Sequence, residues 1–287
     1  MAVQNSLQRS RGNQRLGISA YLTADAVQNQ INQVVGGKDG QRFISAIVSA
    51  VNTNPALQEC TNQSILSGAL LGESLKLSPS PQLGQYYLVP FNDKNKGKVA
   101  QFQLGYKGYI QLAIRSGQYK KLNVLAIKEG ELIRFDPLNE EIEVRLIEDE
   151  EEREQANTIG YYAMFEYTNG FRKAIYWSKR KMEAHALKYS KGYQAKKGYT
   201  FWEKDFDGMA YKTMLRQLIS KWGIMSIDMA SAIDSDMAVI NEDGTKDYVD
   251  NDATVFDMEP AQEATPQQSQ PEPAVPVDAK AALFGNN

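Results

Sequence analysis

With 42% hydrophobic and 23% charged residues, this 287-residue chain has an ordinary soluble composition and enough length to bury a full core. One cysteine, Cys60, excludes an intramolecular disulfide framework, and one histidine, His185, leaves no HExxH helix or CxxC pair. The N-terminal residues 1–14 lack an apolar signal core, and no apolar run approaches the roughly 18 residues that span a bilayer, so the expected location is cytoplasmic with no membrane partner.

In chain order, residues 1–20 are polar, carry Arg9, Arg11 and Arg15, and read as a flexible N-terminal arm. Three helices follow. Thr23 is placed to cap the first, which runs to about Val35 and stops at Gly36-Gly37. Phe43, Ile44, Ile47, Val48 and Val51 mark the second. The third, around Ser64–Gly72, is apolar enough to be internal, and its small residues Ser67, Gly68, Ala69 and Gly72 suit close helix approach. A hairpin comes next, with Gln85–Pro90 and Lys98–Leu104 as strands and a lysine-rich tip carrying Lys94, Lys96 and Lys98.

The central stretch is Gln101–Gly117. Gln101 and Gln103 alternate with Phe102 and Leu104 as in a half-buried strand, and Gly105 breaks it. Tyr106, Tyr109, Ile110, Ala113 and Ile114 then form one apolar helix face, with Lys107, Gln111 and Arg115 on the adjoining one. A helix N-terminus beside polar side chains and a lysine suits an anion such as a phosphate. The competing expectation is a plain strand-turn-helix with a solvated lysine.

Further on, Tyr119–Ile127, Leu132–Phe135 and the alternating Ile142, Val144 and Leu146 read as strands. Residues 147–155 read as a solvated acidic loop. Thr158–Tyr167 and Phe171–Trp177 form a hairpin across Asn169-Gly170. Ser178 caps a helix carrying His185, which reads as a packing or surface residue. Residues 191–206 mix Lys191, Lys196 and Lys197 with Tyr193, Tyr199, Phe201 and Trp202. Such a basic and aromatic mixture suits single-stranded nucleic acid; Phe201 and Trp202 are expected in the core. A last long helix, about Phe206–Trp222, has Tyr211, Leu215, Leu218, Ile219 and Trp222 as its apolar stripe and Lys212 and Arg216 on another face. From about Asp236 the chain turns acidic and rich in Pro and Gln, so 236–287 is expected to be a disordered tail and 21–235 one binding core.

Charge is segregated along this order. Residues 1–227 hold 30 basic and 22 acidic residues, whereas the remainder holds 2 basic and 13 acidic. Within the body, 129–154 holds 12 acidic and 3 basic residues and 172–221 holds 13 basic and 4 acidic. That asymmetry points to a polyanion surface coupled to an acidic tail able to compete for it. No GxxxxGK[ST], GxGxxG or GxSxG motif is present, so nothing marks a nucleotide engine or a nucleophile elbow. Scattered carboxylates keep a metal-dependent nuclease as the alternative to a binding protein.

The segment YYLVPFNDKNKGKVAQFQLGYKGYIQLAIRSGQYK resembles the central block of the phage RecT family of single-strand annealing recombinases, as does FDGMAYKTMLRQLISKWGIMS near the end of the body. The apolar stretch GALLGESLKLSPSP fits the same family, and the resemblance covers roughly residues 20–235. It implies an α+β fold with antiparallel strands flanked by helices. It also implies a non-enzymatic, ATP-independent protein without cofactor or metal. Such a protein binds single-stranded DNA, assembles into a ring or helical filament, and anneals complementary strands through a duplex intermediate. A phage 5′→3′ exonuclease and a host single-stranded DNA-binding protein are the implied partners, in the cytoplasm of a bacterial host. The groove expected to hold the first strand draws on Lys94, Lys96, Lys98, Gln101, Gln103, Tyr106, Lys107, Gln111 and Arg115. Later in the chain it draws on Arg172, Lys179, Lys181, Lys188, Lys191, Tyr193, Lys196, Lys197, Tyr199, Lys212 and Arg216.

Overall fold

The computed structural model describes residues 17–36, 39–93, 96–198 and 200–248. Lys94, Tyr199, most of the expected arm and the tail beyond Tyr248 lie outside the described residues.

Helix begins earlier than composition suggests. Ile18–Leu22 (α1) is helical and the half-buried Ile18 packs against the core, so the end of the expected arm belongs to the fold. Asp25–Val35 (α2) starts after Ala24 rather than being capped by Thr23, and ends at Gly36, whose φ of 83° needs a glycine. Gly40–Thr53 (α3) and Asn62–Ser74 (α4) follow, with a 3₁₀ turn at Pro55–Glu59 between them. Thr61 caps α4. The two glycines of α4 admit a strand rather than the helix expected there. A Cβ at Gly72 would lie 2.3 Å from the Tyr86 ring, and one at Gly68 2.8 Å from Leu88.

That strand is β1 (Tyr86–Asp93), antiparallel to β2 (Gly97–Leu104) from Tyr86↔Leu104 to Asp93↔Gly97. β2 leads through Gly105 into α5 (Tyr106–Arg115), and Gly117 closes the helix at φ 69°. The apolar face of α5 is rotated from the expected one. Gly108, Tyr109, Leu112 and Ala113 are buried, whereas Ile114 is 60% exposed. Gly105 and Gly108 let this helix start sit on the backbone of Gly84-Gln85, where Cβ atoms would come within 2.1 and 2.2 Å of carbonyl oxygens.

A second sheet has the order β3 (Tyr119–Lys128), β6 (Thr158–Tyr167), β7 (Arg172–Ser178), all antiparallel. The hairpin β4 (Leu132–Asp136) and β5 (Glu141–Val144) branches from the end of β3. The acidic run that follows is not a loop. Asp149 caps the short helix α6 (Glu150–Gln155), whose Arg153 pairs at 2.6 Å with the fully buried Glu131. Glu131 also accepts from the backbone of Lys128 and Ile147, so one carboxylate ties the hairpin base to the sheet.

Ser178 caps α7 (Lys179–Tyr189), as expected. Two short helices, α8 (Lys191–Gln194) and α9 (Phe201–Lys204), lead to α10 (Phe206–Trp222) and α11 (Ile227–Ser235). Helix α10 is buried over most of its circumference and packs on α5, β3, β6 and β7. The chain then returns to the first sheet as β8 (Ala238–Ile240), beside β2, and β9 (Lys246–Tyr248), giving the order β1-β2-β8-β9. The fold is α+β, as expected, but the first residues assigned to the tail are part of it: Asp236 and all of β8 are buried. The described residues lie within one compact unit ending at Thr254.

Candidate nucleic-acid interface

The expected site residues separate into an inward group and an outward one. Lys212 and Arg216 are turned inward, 6% and 9% exposed, which corrects the expectation of a free cationic face. Lys212 Nζ donates to Asp236 at 2.9 Å and Arg216 Nη1 donates to its other oxygen at 2.6 Å. The backbone N–H of Leu104 completes the carboxylate's shell. Burial pushes the Lys212 ammonium down and the Asp236 charge opposes that push. A lone buried charge is costly, so each member of this trio depends on the others. Nothing in the sequence singles out Asp236, because it sits where the composition already reads as tail.

Several other expected DNA ligands are also engaged within the fold. Gln101 is buried and donates to the Met237 carbonyl, and Gln103 donates to Gln101, so the strand's polar face is covered by the turn into β8. Lys96 pairs with Asp247 and donates to Asn241, and Lys98 pairs with Glu59. Arg115 reaches the carbonyls of Leu75 and Lys76 and so serves the C-terminal end of α4. Tyr106 packs edge-on against Tyr211, and Tyr193 packs on Trp202 and Phe206. Gln111 remains exposed on α5.

The outward group is concentrated on α7, α8 and the loop after α8, with Arg172 apart at the other end of β7. Arg172, Lys179, Lys181, Lys188, Lys191, Lys196 and Lys197 are all exposed. Among the described residues no ion pair holds Lys179, Lys196 or Lys197. Beneath this belt lies an aromatic floor. Lys181 Nζ stands 4.3 Å from the Trp177 ring, and His185 packs against Trp177, Tyr189 and Trp202. Burial, with help from Lys188, Arg216 and Lys181, pushes the His185 pKa down to about 4, so its imidazole is neutral near pH 7. That matches a packing residue and gives no sign of an acid-base catalyst.

The belt continues onto the central helix through two aromatics. Glu203 accepts from the N–H groups of Gly198 and Thr200 and from the Thr200 hydroxyl, which pins the loop after Lys196 and Lys197 onto α9. The next residue, Phe201, is 38% exposed rather than in the core; only Trp202 is buried. The Phe201 ring lies 5.5 Å from that of Tyr87 on β1. A Cβ at Gly84 would touch both Tyr87 Oη, at 3.1 Å, and the Lys107 stem, at 3.3 Å, which places the exposed Lys107 beside Tyr87. Lysines and half-exposed rings thus run from α8 to the start of α5. Tyr87 is an addition to the expected set, although its position beside the inward Tyr86 in a period-2 strand makes it the outward ring of the pair. Among the described residues no three His, Cys, Asp or Glu side chains stand together as a metal site, and no helix is long and apolar enough to cross a membrane.

Comparison with known proteins meets this geometry from a separate direction. The family model described as the RecT family matches residues 41–252, which run from α3 through β9. The chain is 37% identical over 294 residues to the uncharacterized protein YqaK of Bacillus subtilis (strain 168), covering 97% of this chain and 96% of that protein. It is 31% identical over 199 residues to protein RecT of Escherichia coli (strain K12), covering 68% of this chain and 71% of that protein. The match takes in both the outward belt and the buried Asp236 trio, and the chain belongs to the RecT family, a membership that supports single-strand annealing in DNA recombination.

Proposed function

We propose that this protein is an ATP-independent, non-enzymatic recombinase of bacteriophage origin that binds single-stranded DNA, self-associates on it and anneals a complementary strand. The observation that carries this is the run of exposed lysines and aromatics from α7 and α8 through Phe201 and Tyr87 to Lys107. Lysines neutralise phosphates without reading sequence, and aromatic faces accept any base. Strand choice then rests on Watson–Crick pairing, which requires the bound strand to keep its pairing edges open to the second strand. A surface belt allows this, where a closed channel would not.

Within this function a phage 5′→3′ exonuclease supplies the single strand, a host single-stranded DNA-binding protein is the competitor to be displaced, and the setting is the bacterial cytoplasm. Mixing the protein with two complementary labelled oligonucleotides, without nucleotide or metal, tests it. The expected result is accelerated duplex formation with strands of unchanged length. Strand shortening on adding a divalent metal, or no acceleration at all, would overturn it.

A further inference from the structure

An exposed acid, Glu203 on α9, follows the loop that carries the exposed Lys196 and Lys197. A carboxylate so placed is expected either to pair with a lysine or to repel a bound phosphate. Among the described residues no ion pair engages it. Both of its oxygens serve the loop instead. Oε1 accepts from the Gly198 N–H at 2.8 Å, and Oε2 accepts from the Thr200 N–H at 3.1 Å and the Thr200 hydroxyl at 2.7 Å. The Thr200 hydroxyl, more than any other group, holds the Glu203 carboxyl below the usual carboxylate range, so the charged form makes these bonds near neutral pH.

The loop itself is bent in a way that side chains resist. Lys196 has φ 49° and Gly198 φ 76°, both left-handed, and residues with a Cβ rarely occupy that region. Its near end is tied to α8: the Lys196 N–H donates to the Tyr193 carbonyl at 3.0 Å and the Lys197 N–H to that of Gly192 at 3.1 Å. Its far end is tied by Glu203. Gly192 also leaves room for Thr200, whose methyl would lie 2.7 Å from a Cβ at that glycine. Lys196 and Lys197 therefore stand exposed on a segment held at both ends.

We propose that Glu203 is a positioning residue for the DNA strand: it strengthens binding by holding Lys196 and Lys197 in the arrangement that meets phosphates, although its own charge repels them. The proposal rests on the DNA surface in the function above and names a residue that acts on it without touching DNA. Ordering a flexible loop and its side chains on binding costs affinity, and a loop already ordered avoids that cost. Engaged by three donors, the carboxylate is also kept from pairing with either lysine, which leaves both ammonium groups for the strand. Charge and position thus make opposite predictions. Removing a negative charge from a polyanion surface should tighten binding, whereas removing the brace should weaken it.

Affinity for a short labelled oligothymidylate, read by fluorescence anisotropy on the full chain over a salt series, tests this. Glu203→Ala should bind roughly fivefold to tenfold more weakly at every salt concentration. Its slope of log K on log salt should stay at the wild-type value, because both lysines still reach phosphates once bound. Glu203→Gln, which keeps one accepting oxygen, should fall between the two. Glu203 is exposed, so circular dichroism and thermal melting should show both variants folded at the assay temperature. In a background of Lys196→Ala with Lys197→Ala, Glu203→Ala should bring no further loss. Equal or tighter binding by Glu203→Ala, the outcome that charge alone predicts, would overturn the proposal. So would a loss of the same size in the background without the two lysines, which would mark Glu203 as a residue of the fold at large. Wild-type affinity of the two-lysine variant would overturn the proposal together with the DNA surface it rests on, so the two failures are distinguishable.

Discussion

Two groups of cations expected on one DNA-facing surface end in opposite environments. Lys212 and Arg216 are enclosed and share one carboxylate, Asp236, whereas Lys196 and Lys197 stand in solvent on a loop pinned by Glu203. Residue type does not separate them, since each group includes a lysine. The difference is that a counter-charge far along the chain folds back onto α10, whereas among the described residues no ion pair holds Lys196 or Lys197. The first group should therefore govern stability and the second should govern binding.

The largest effect should come from removing that counter-charge. Asp236→Ala leaves two buried cations without their partner and should cost about 3–5 kcal/mol of unfolding free energy, measured by urea denaturation. A chain ending at Ser235 should lose as much, while one ending at Tyr248 keeps the trio and both C-terminal strands. A loss under about 1 kcal/mol for Asp236→Ala would show that the trio is hydrated in solution, and the contrast between the two groups would fail.

His185 feels both environments, since burial most of all, and then Lys188, Arg216 and Lys181, oppose its protonation. Its pKa falls from 6.5 in the unfolded chain to about 4 in the folded one. Its contribution is thus present above about pH 6.5 and is lost as pH falls towards 4. Wild-type stability should drop by about 2 kcal/mol between pH 7 and pH 5 from this group. His185→Gln should flatten that dependence, and an unchanged pH profile in the variant would place the titration elsewhere.

A similar magnitude is expected in binding for Phe201→Ala. Loss of an exposed stacking ring should weaken single-stranded DNA affinity by about 1–3 kcal/mol while changing stability little. Fluorescence anisotropy and thermal melting read the two separately. A stability loss with normal affinity would instead return Phe201 to a packing role against Tyr87.

Most of the secondary structure is legible in the sequence because it rests on local patterns. The β1–β2 hairpin, Ser178 as a cap, Gly117 as a stop and the 17-residue α10 follow from period, turn and cap chemistry. The site is less so. Helical period alone sets Lys212 and Arg216 off the apolar stripe, but a helix surrounded on most sides has no free face. Ile114 and Trp222 show the converse, being apolar at stripe spacing yet exposed. Only long-range partners decide such cases, and Asp236 is 20 residues beyond Arg216 in a segment whose composition reads as disordered. The acidic run at 147–155 reads as a loop for the same reason, since the buried Glu131 that engages Arg153 lies 22 residues earlier.

The smallest effects on stability, and the most direct test of the DNA surface, come from its lysines. Lys107→Ala, Lys196→Ala and Lys197→Ala combined should leave unfolding free energy within about 0.5 kcal/mol of wild type per site. The measurement is the dependence of log K for an oligonucleotide on log salt concentration. Each phosphate that is no longer neutralised lowers the slope by about 0.7, so the triple variant should bind more weakly at low salt with a slope shallower by about 2. A triple variant with wild-type affinity and slope would contradict the account and move the DNA away from the run of lysines and rings that joins α8 to α5.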